Sequence, residues 1–143
     1  MPVPDRIERV LDLHHPPEKV WAALTTAEGL GGWFGSGAEV DGLHPGGRAR
    51  VRWGEEEQTL WIQVVEPPRR FAYTWAIEGL PPSDPRRTRV EFTLEPTPTG
   101  TRLTVVETGF AQLPDESAGA YESNVQGWRT ELAELAEYLD AAA

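Results

Sequence analysis

The spacing of apolar residues divides the chain into three stretches. From Arg6 to His14 the run RIERVLDLH carries Ile7, Val10, Leu11 and Leu13, which do not alternate cleanly. It predicts a first strand with a bulge. Pro16 and Pro17 end that strand, and proline is favoured in the first turn of a helix. In PEKVWAAL, Val20 and Leu24 lie four apart, on one helical face. Thr26 to Leu30 predicts a second short helix with Thr26 as its N-cap. That helix ends near the glycines and delivers Trp33 and Phe34.

From about Ser36 the period becomes two. Ala49, Val51 and Trp53 alternate with Arg48, Arg50 and Arg52, the pattern of a half-buried strand. Thr59 to Val65 is a second such strand. Phe71, Tyr73 and Trp75 mark a third, Val90, Phe92 and Leu94 a fourth, and Leu103 and Val105 a fifth. The separators EPPRR (66–70), GLPPSDP (79–85) and PTPTG (96–100) are turn-like, so the strands form an antiparallel meander. After Pro114 the period returns to helical. Tyr121, Val125, Trp128, Leu132, Leu135 and Leu139 make one stripe on a helix from about Ala118 to Leu139. At 1.5 Å per residue that helix is roughly 33 Å long, enough to cross a sheet. The fold class is α+β: a curved antiparallel sheet wrapped around a long C-terminal helix, with two short N-terminal helices.

Composition narrows the partners. The chain has 143 residues, the size of one domain spanning 1–143. With 13 basic and 23 acidic residues its net charge is -10, which opposes nucleic acid and anionic membrane surfaces. No apolar run reaches the roughly 20 residues of a membrane helix, and MPVPDRIERV has no signal-peptide core. A cytoplasmic location is expected. There is no cysteine, which excludes disulfides, thiolate metal sites and a Cys nucleophile. His14 and His15 are strand neighbours pointing to opposite faces and His44 is in a Gly- and Pro-rich turn, so neither metal nor cofactor is expected.

Four segments occur in order: PPEKVWAALTTAEGLGGWFG, VVEPPRRFAYTW, GTRLTVVETGF and GWRTELAELAEYL. Together they resemble the START-like SRPBCC superfamily and, within it, the homologues of activators of heat-shock protein 90 ATPase, from about Ile7 to Leu139. The resemblance implies the helix-grip fold and a cavity between the long helix and the sheet for an apolar or amphipathic small molecule. It also brings a chaperone ATPase into view as a partner, although eukaryotic activators carry an additional N-terminal domain for which this chain has no room. Some SRPBCC relatives are cyclases or hydratases.

A ligand cavity needs apolar walls and a few convergent polar groups. The candidate walls are Trp33, Phe34, Trp53, Phe71, Tyr73, Trp75, Phe92, Val105, Phe110, Tyr121 and Trp128. Aromatic stripes also fill ordinary cores, but six Trp, three Tyr and four Phe are many for a core of this size. Glu107 continues the Leu103, Val105 alternation, so it faces inward unless a strand end near Gly109 frees it to solvent. A buried carboxylate is costly without partners, and a polar group on a ligand would supply one. Asn124 flanks the helix stripe, facing either the cavity or solvent. The Arg48, Arg50, Arg52 row is a solvated outer face balanced by Glu55, Glu56, Glu57 and Glu91. Gly127 lets a neighbouring element approach Trp128. Four functions follow: non-catalytic binding of an apolar or aromatic small molecule, a co-chaperone role, an enzyme using Glu107 with Tyr73 or Tyr121 as acid–base groups, or a dimeric structural protein whose cavity is vestigial. A homodimer is compatible with each.

Overall fold

The structure, a computed structural model, describes residues 5–77, 84–112 and 119–141. Strand β1 (Arg6–Leu13) leads into helices α1 (Pro17–Thr25) and α2 (Ala27–Trp33). Six strands follow: β2 (Gly37–Val40), β3 (Arg48–Trp53), β4 (Glu56–Glu66), β5 (Arg70–Ala76), β6 (Arg87–Thr97) and β7 (Gly100–Thr108). A single 3-10 turn (Phe110–Gln112) and the long helix α3 (Gly119–Ala141) complete the described elements. The strands form one antiparallel sheet in the order β1-β7-β6-β5-β4-β3-β2, so the first strand closes against the last. This is the expected helix-grip architecture, a curved sheet around a long C-terminal helix.

Three details depart from the sequence reading. The edge strand β2, GAEV, is additional; four residues with two polar or glycine positions carry too little alternation to stand out. The pairing of β1 with β7 runs without interruption from Arg6↔Thr108 to Leu13↔Thr101, so β1 has no bulge. The irregularity is between β4 and β5, at Ile62/Val64. Most of the GLPPSDP turn, and Ala118 at the expected start of α3, lie outside the described residues.

Local chemistry explains the N-terminal helices. Thr26 caps α2 by accepting from Gly29 N at 2.9 Å. A Cβ on Gly29 would come within 2.6 Å of Ala23 Cα, so glycine is what lets α2 fold tightly onto α1. The core lies between these helices, α3 and the concave sheet face. Val20 and Leu24 of α1, Phe71 and Tyr73 of β5, Phe92 of β6, Leu103 and Val105 of β7, and Leu135 and Leu139 of α3 are all buried. The α3 stripe has the expected phase: Trp128, Leu132, Leu135 and Leu139 are buried, while Tyr121 and Val125 are half-buried against the core. Lys19, the sole lysine, donates to the Leu139 carbonyl at 2.8 Å and so satisfies an orphan acceptor at the C-terminal end of α3. His15 bonds Asp140 beside it.

The arginine row does point outward, and of the expected partners Glu57 pairs with it, while Glu39 and Asp41 were not expected. Arg50 pairs with Asp41 and Glu39, and Arg52 with Glu39 and, at 3.9 Å, Glu57. Glu91 instead pairs with Arg70 and Arg89. Much of the balancing charge thus comes from β2 and the residue after it, the strand that the alternation did not reveal.

Candidate functional site

Five structural pieces converge at one end of the sheet. Phe34, the C-cap of α2, stacks on Trp75 (5.8 Å between centroids) and on Trp128 (5.7 Å), and meets Trp53 edge-on at 5.0 Å. Trp53 ends β3, Trp75 lies near the end of β5, and Trp128 is at the middle of α3. These four rings wall a cavity of about 590 Å³. Ala76 and Ile77 extend the wall from β5; Glu56, Glu57 and Gln58 border it from the start of β4; Ser123, Asn124, Gly127 and Glu131 border it from α3.

Behind the aromatic wall is Glu107, fully buried. Its carboxylate accepts five hydrogen bonds from four side chains. Oε1 accepts from Trp128 Nε1 at 2.8 Å and from Asn124 Nδ2 at 3.0 Å. Oε2 accepts from Trp75 Nε1 at 2.8 Å, Thr88 Oγ1 at 2.5 Å and Asn124 Nδ2 at 3.0 Å. The donors come from β5, β6 and α3, so this one carboxylate ties the long helix to the sheet. It also sets the planes of two indoles that line the cavity. The protein itself supplies the partners that a ligand was expected to supply, and Glu107 does not border the cavity. Nor does Glu107 bond a tyrosine: the Tyr121 hydroxyl donates to the Arg6 carbonyl at 3.4 Å, and the Tyr73 hydroxyl is buried without a partner. Burial, and next the charges of Glu107 and Glu131, push the Tyr73 phenol well above its ordinary range.

Glu131 differs. One carboxylate oxygen, Oε2, is buried with no hydrogen-bond partner. Desolvation first, then the neighbouring Glu134, raise its pKa from 4.5 to about 8; the Trp53 indole opposes the rise. Among the described residues no group of three His, Asp or Glu side chains is arranged to hold a metal ion. No helix among them is long and apolar enough to cross a membrane.

A family model described as activator of Hsp90 ATPase homolog 1-like protein matches residues 14–140. The chain belongs to this family. Solved structures agree with the assignment. A Mesorhizobium loti protein is 28% identical, with a TM-score of 0.81 over 96% of this chain and 98% of its own. A Nitrosomonas europaea protein is 25% identical, with a TM-score of 0.78 and full coverage of both chains. A protein described as the Aha1 dimer from Colwellia psychrerythraea shares the fold at 21% identity, with a TM-score of 0.75, over 94% of this chain and 95% of that one. None of the curated proteins matches the chain.

In this family member the residues singled out from the sequence separate into groups. Phe34, Trp53, Trp75, Asn124 and Trp128 border the cavity. Trp33 is buried beneath the two short helices, its indole donating to Ala23 O at 2.7 Å. Phe71, Tyr73, Phe92 and Val105 form the packed layer on the sheet and do not reach the cavity. Phe110 packs edge-on against Tyr121 at 5.2 Å, also away from it. Gly127 does not serve close approach: a Cβ there would meet nothing within 4 Å, because it faces the open space. Glu131, Glu56 and Glu57 also border the cavity, which the sequence reading did not anticipate. A signal for Glu131 existed, since it follows Trp128 by three residues and so stands one turn along the same helix face.

Proposed function

We propose that this protein is a non-catalytic binder of a small molecule with an apolar or aromatic body, held between α3 and the sheet. The observation that carries this reading is the cavity of about 590 Å³ walled by Phe34, Trp53, Trp75 and Trp128. That volume falls within the roughly 300–1,000 Å³ typical of small-molecule sites. The saturated Glu107 supports it, because its hydrogen bonds hold two of the four rings in place without any ligand. Such a preorganised wall loses little conformational freedom on binding.

The test uses a neutral apolar fluorophore, N-phenyl-1-naphthylamine, and the quenching of intrinsic tryptophan emission. Saturable binding to the native protein is expected, with its loss in Gly127→Leu, whose side chain would project into the open space. Absence of saturable binding, or unchanged binding in Gly127→Leu, would overturn the reading. Family membership and the dimeric Colwellia relative support a second kind of partner, a chaperone ATPase or a second copy of the chain. A dose-dependent rise in ATP hydrolysis by a purified chaperone of the heat-shock protein 90 class tests the former, and sedimentation the latter.

A further inference from the structure

We infer that the cavity takes an amphipathic organic cation, an apolar or aromatic body bearing an ammonium group, with Glu131 as its anionic partner. This rests on the small-molecule reading above and adds the charge of the ligand.

Among the described residues three carboxylates border the cavity, Glu56, Glu57 and Glu131, and no Lys, Arg or His lines it. Of the three, Glu57 has an ion-pair partner among the described residues, Arg52 at 3.9 Å. Glu131 Oε2 is buried and lacks a hydrogen-bond partner, so a cationic group brought against Glu131 from the cavity offsets a poorly solvated carboxylate. The rest of the lining suits the same ligand. Trp53, Trp75 and Trp128 present indole rings, the aromatic side chain that attracts cations best. The indole N–H groups of Trp75 and Trp128 donate to the Glu107 carboxylate, which polarises the rings and makes their faces more negative. A cation therefore meets carboxylates and indole rings around one cavity, where no basic side chain among the described residues favours an anion.

Glu131 also couples binding to pH. The Glu131 carboxyl holds its proton up to about pH 8. Around Glu131 are Glu134 on its own helix, the Trp53 indole from β3, the Tyr73 phenol from β5, and Glu56 and Glu57 from β4 on the same cavity lining. All of these are acidic or neutral groups, and Tyr73 keeps its proton throughout the window. A permanent cation has to displace the Glu131 proton, so its affinity rises with pH from 6 to 9.

The experiment compares three naphthalene probes of different charge by tryptophan quenching: (1-naphthylmethyl)trimethylammonium, 1-naphthylmethanol and 1-naphthoate. At pH 8.5 the ammonium probe should bind at least tenfold more tightly than the alcohol, with the carboxylate weakest. Between pH 6 and pH 9 the ammonium affinity should rise about tenfold while the alcohol's stays level. Glu131→Gln, checked for native circular dichroism, should remove that rise and weaken the ammonium probe at least tenfold at pH 8.5, with the alcohol changed less than twofold. Equal binding of ammonium and alcohol, or a pH rise that survives Glu131→Gln, overturns the cation proposal and leaves the small-molecule reading standing. Failure of all three probes overturns both. The probe series on the native protein stands independently of any variant.

Discussion

Two glutamates flank the same aromatic wall, and they stand in opposite conditions. Glu107, behind the wall, is fully buried, and both its oxygens are occupied by donors from β5, β6 and α3. Glu131, on the cavity side, is only partly buried, yet one of its oxygens has no donor at all. The difference teaches that depth of burial is a poor guide to function. A deeply buried charge persists only when the fold surrounds it with hydrogen bonds, and such a charge has nothing left to offer a ligand. The proposed cation site uses the less buried carboxylate, the one with an unpaired oxygen.

Variants along this wall test the contrast, beginning with the most damaging. Trp128→Ala removes a buried ring and a donor to Glu107 together, and should cost about 3–5 kcal/mol, read as a lower urea midpoint at unchanged slope. An unchanged midpoint would mean that α3 is anchored elsewhere. Glu107→Gln keeps the shape but replaces one acceptor oxygen by an NH₂ that confronts indole, hydroxyl and amide donors. A loss of about 2–3 kcal/mol is expected, far from the near-neutral outcome that an unpaired carboxylate would give.

The same substitution at Glu131 should act in the opposite direction. Between its ordinary 4.5 and about 8, the folded protein retains a proton that the unfolded chain has released. Stability from this group is therefore fully present below 4.5 and is lost as pH rises through about 8. Glu131→Gln abolishes that slope. It should leave thermal stability unchanged at pH 4 and raise it at pH 9 by on the order of 1 kcal/mol, a figure reduced for the side chain's partial exposure. Parallel melting curves for the two proteins from pH 4 to pH 9 would remove the basis for the contrast. The smallest effect belongs to Gly127→Ala. A glycine inside a helix is destabilising by roughly 0.5–1 kcal/mol relative to alanine, and the added methyl meets no atom here. This variant should therefore be more stable by that amount while narrowing the cavity. A destabilised Gly127→Ala would show that the space beside α3 is already filled.

Much of the architecture was legible in the chain because periodicity is a local property. The change from period two to period 3.6 located the β3 to β7 meander and α3, and the Thr26 cap was readable from residues next to one another. Strand β2 escaped because four residues with one clear apolar position carry almost no period. In the site, alternation through Leu103 and Val105 did give Glu107 its inward direction. It could not show the two indoles, the threonine and the asparagine that come to meet it from 17 to 32 residues away in sequence.

That separates what the chain determines alone from what the tertiary structure decides. Local patterning sets which face each residue presents, because side-chain direction follows from backbone geometry within a few residues. What stands opposite that face depends on how distant elements are brought together. So Phe34, Trp53, Trp75 and Trp128 became a cavity wall while Phe71, Tyr73 and Phe92, with the same pattern and chemistry, became core. Gly127 borders open space, and Glu131 acquired the desolvation that leads its raised proton affinity, because α3 lies beside the ends of β3 to β5. Desolvation and hydrogen-bond partnership are properties of the assembled interior, and no single segment of the sequence carries them.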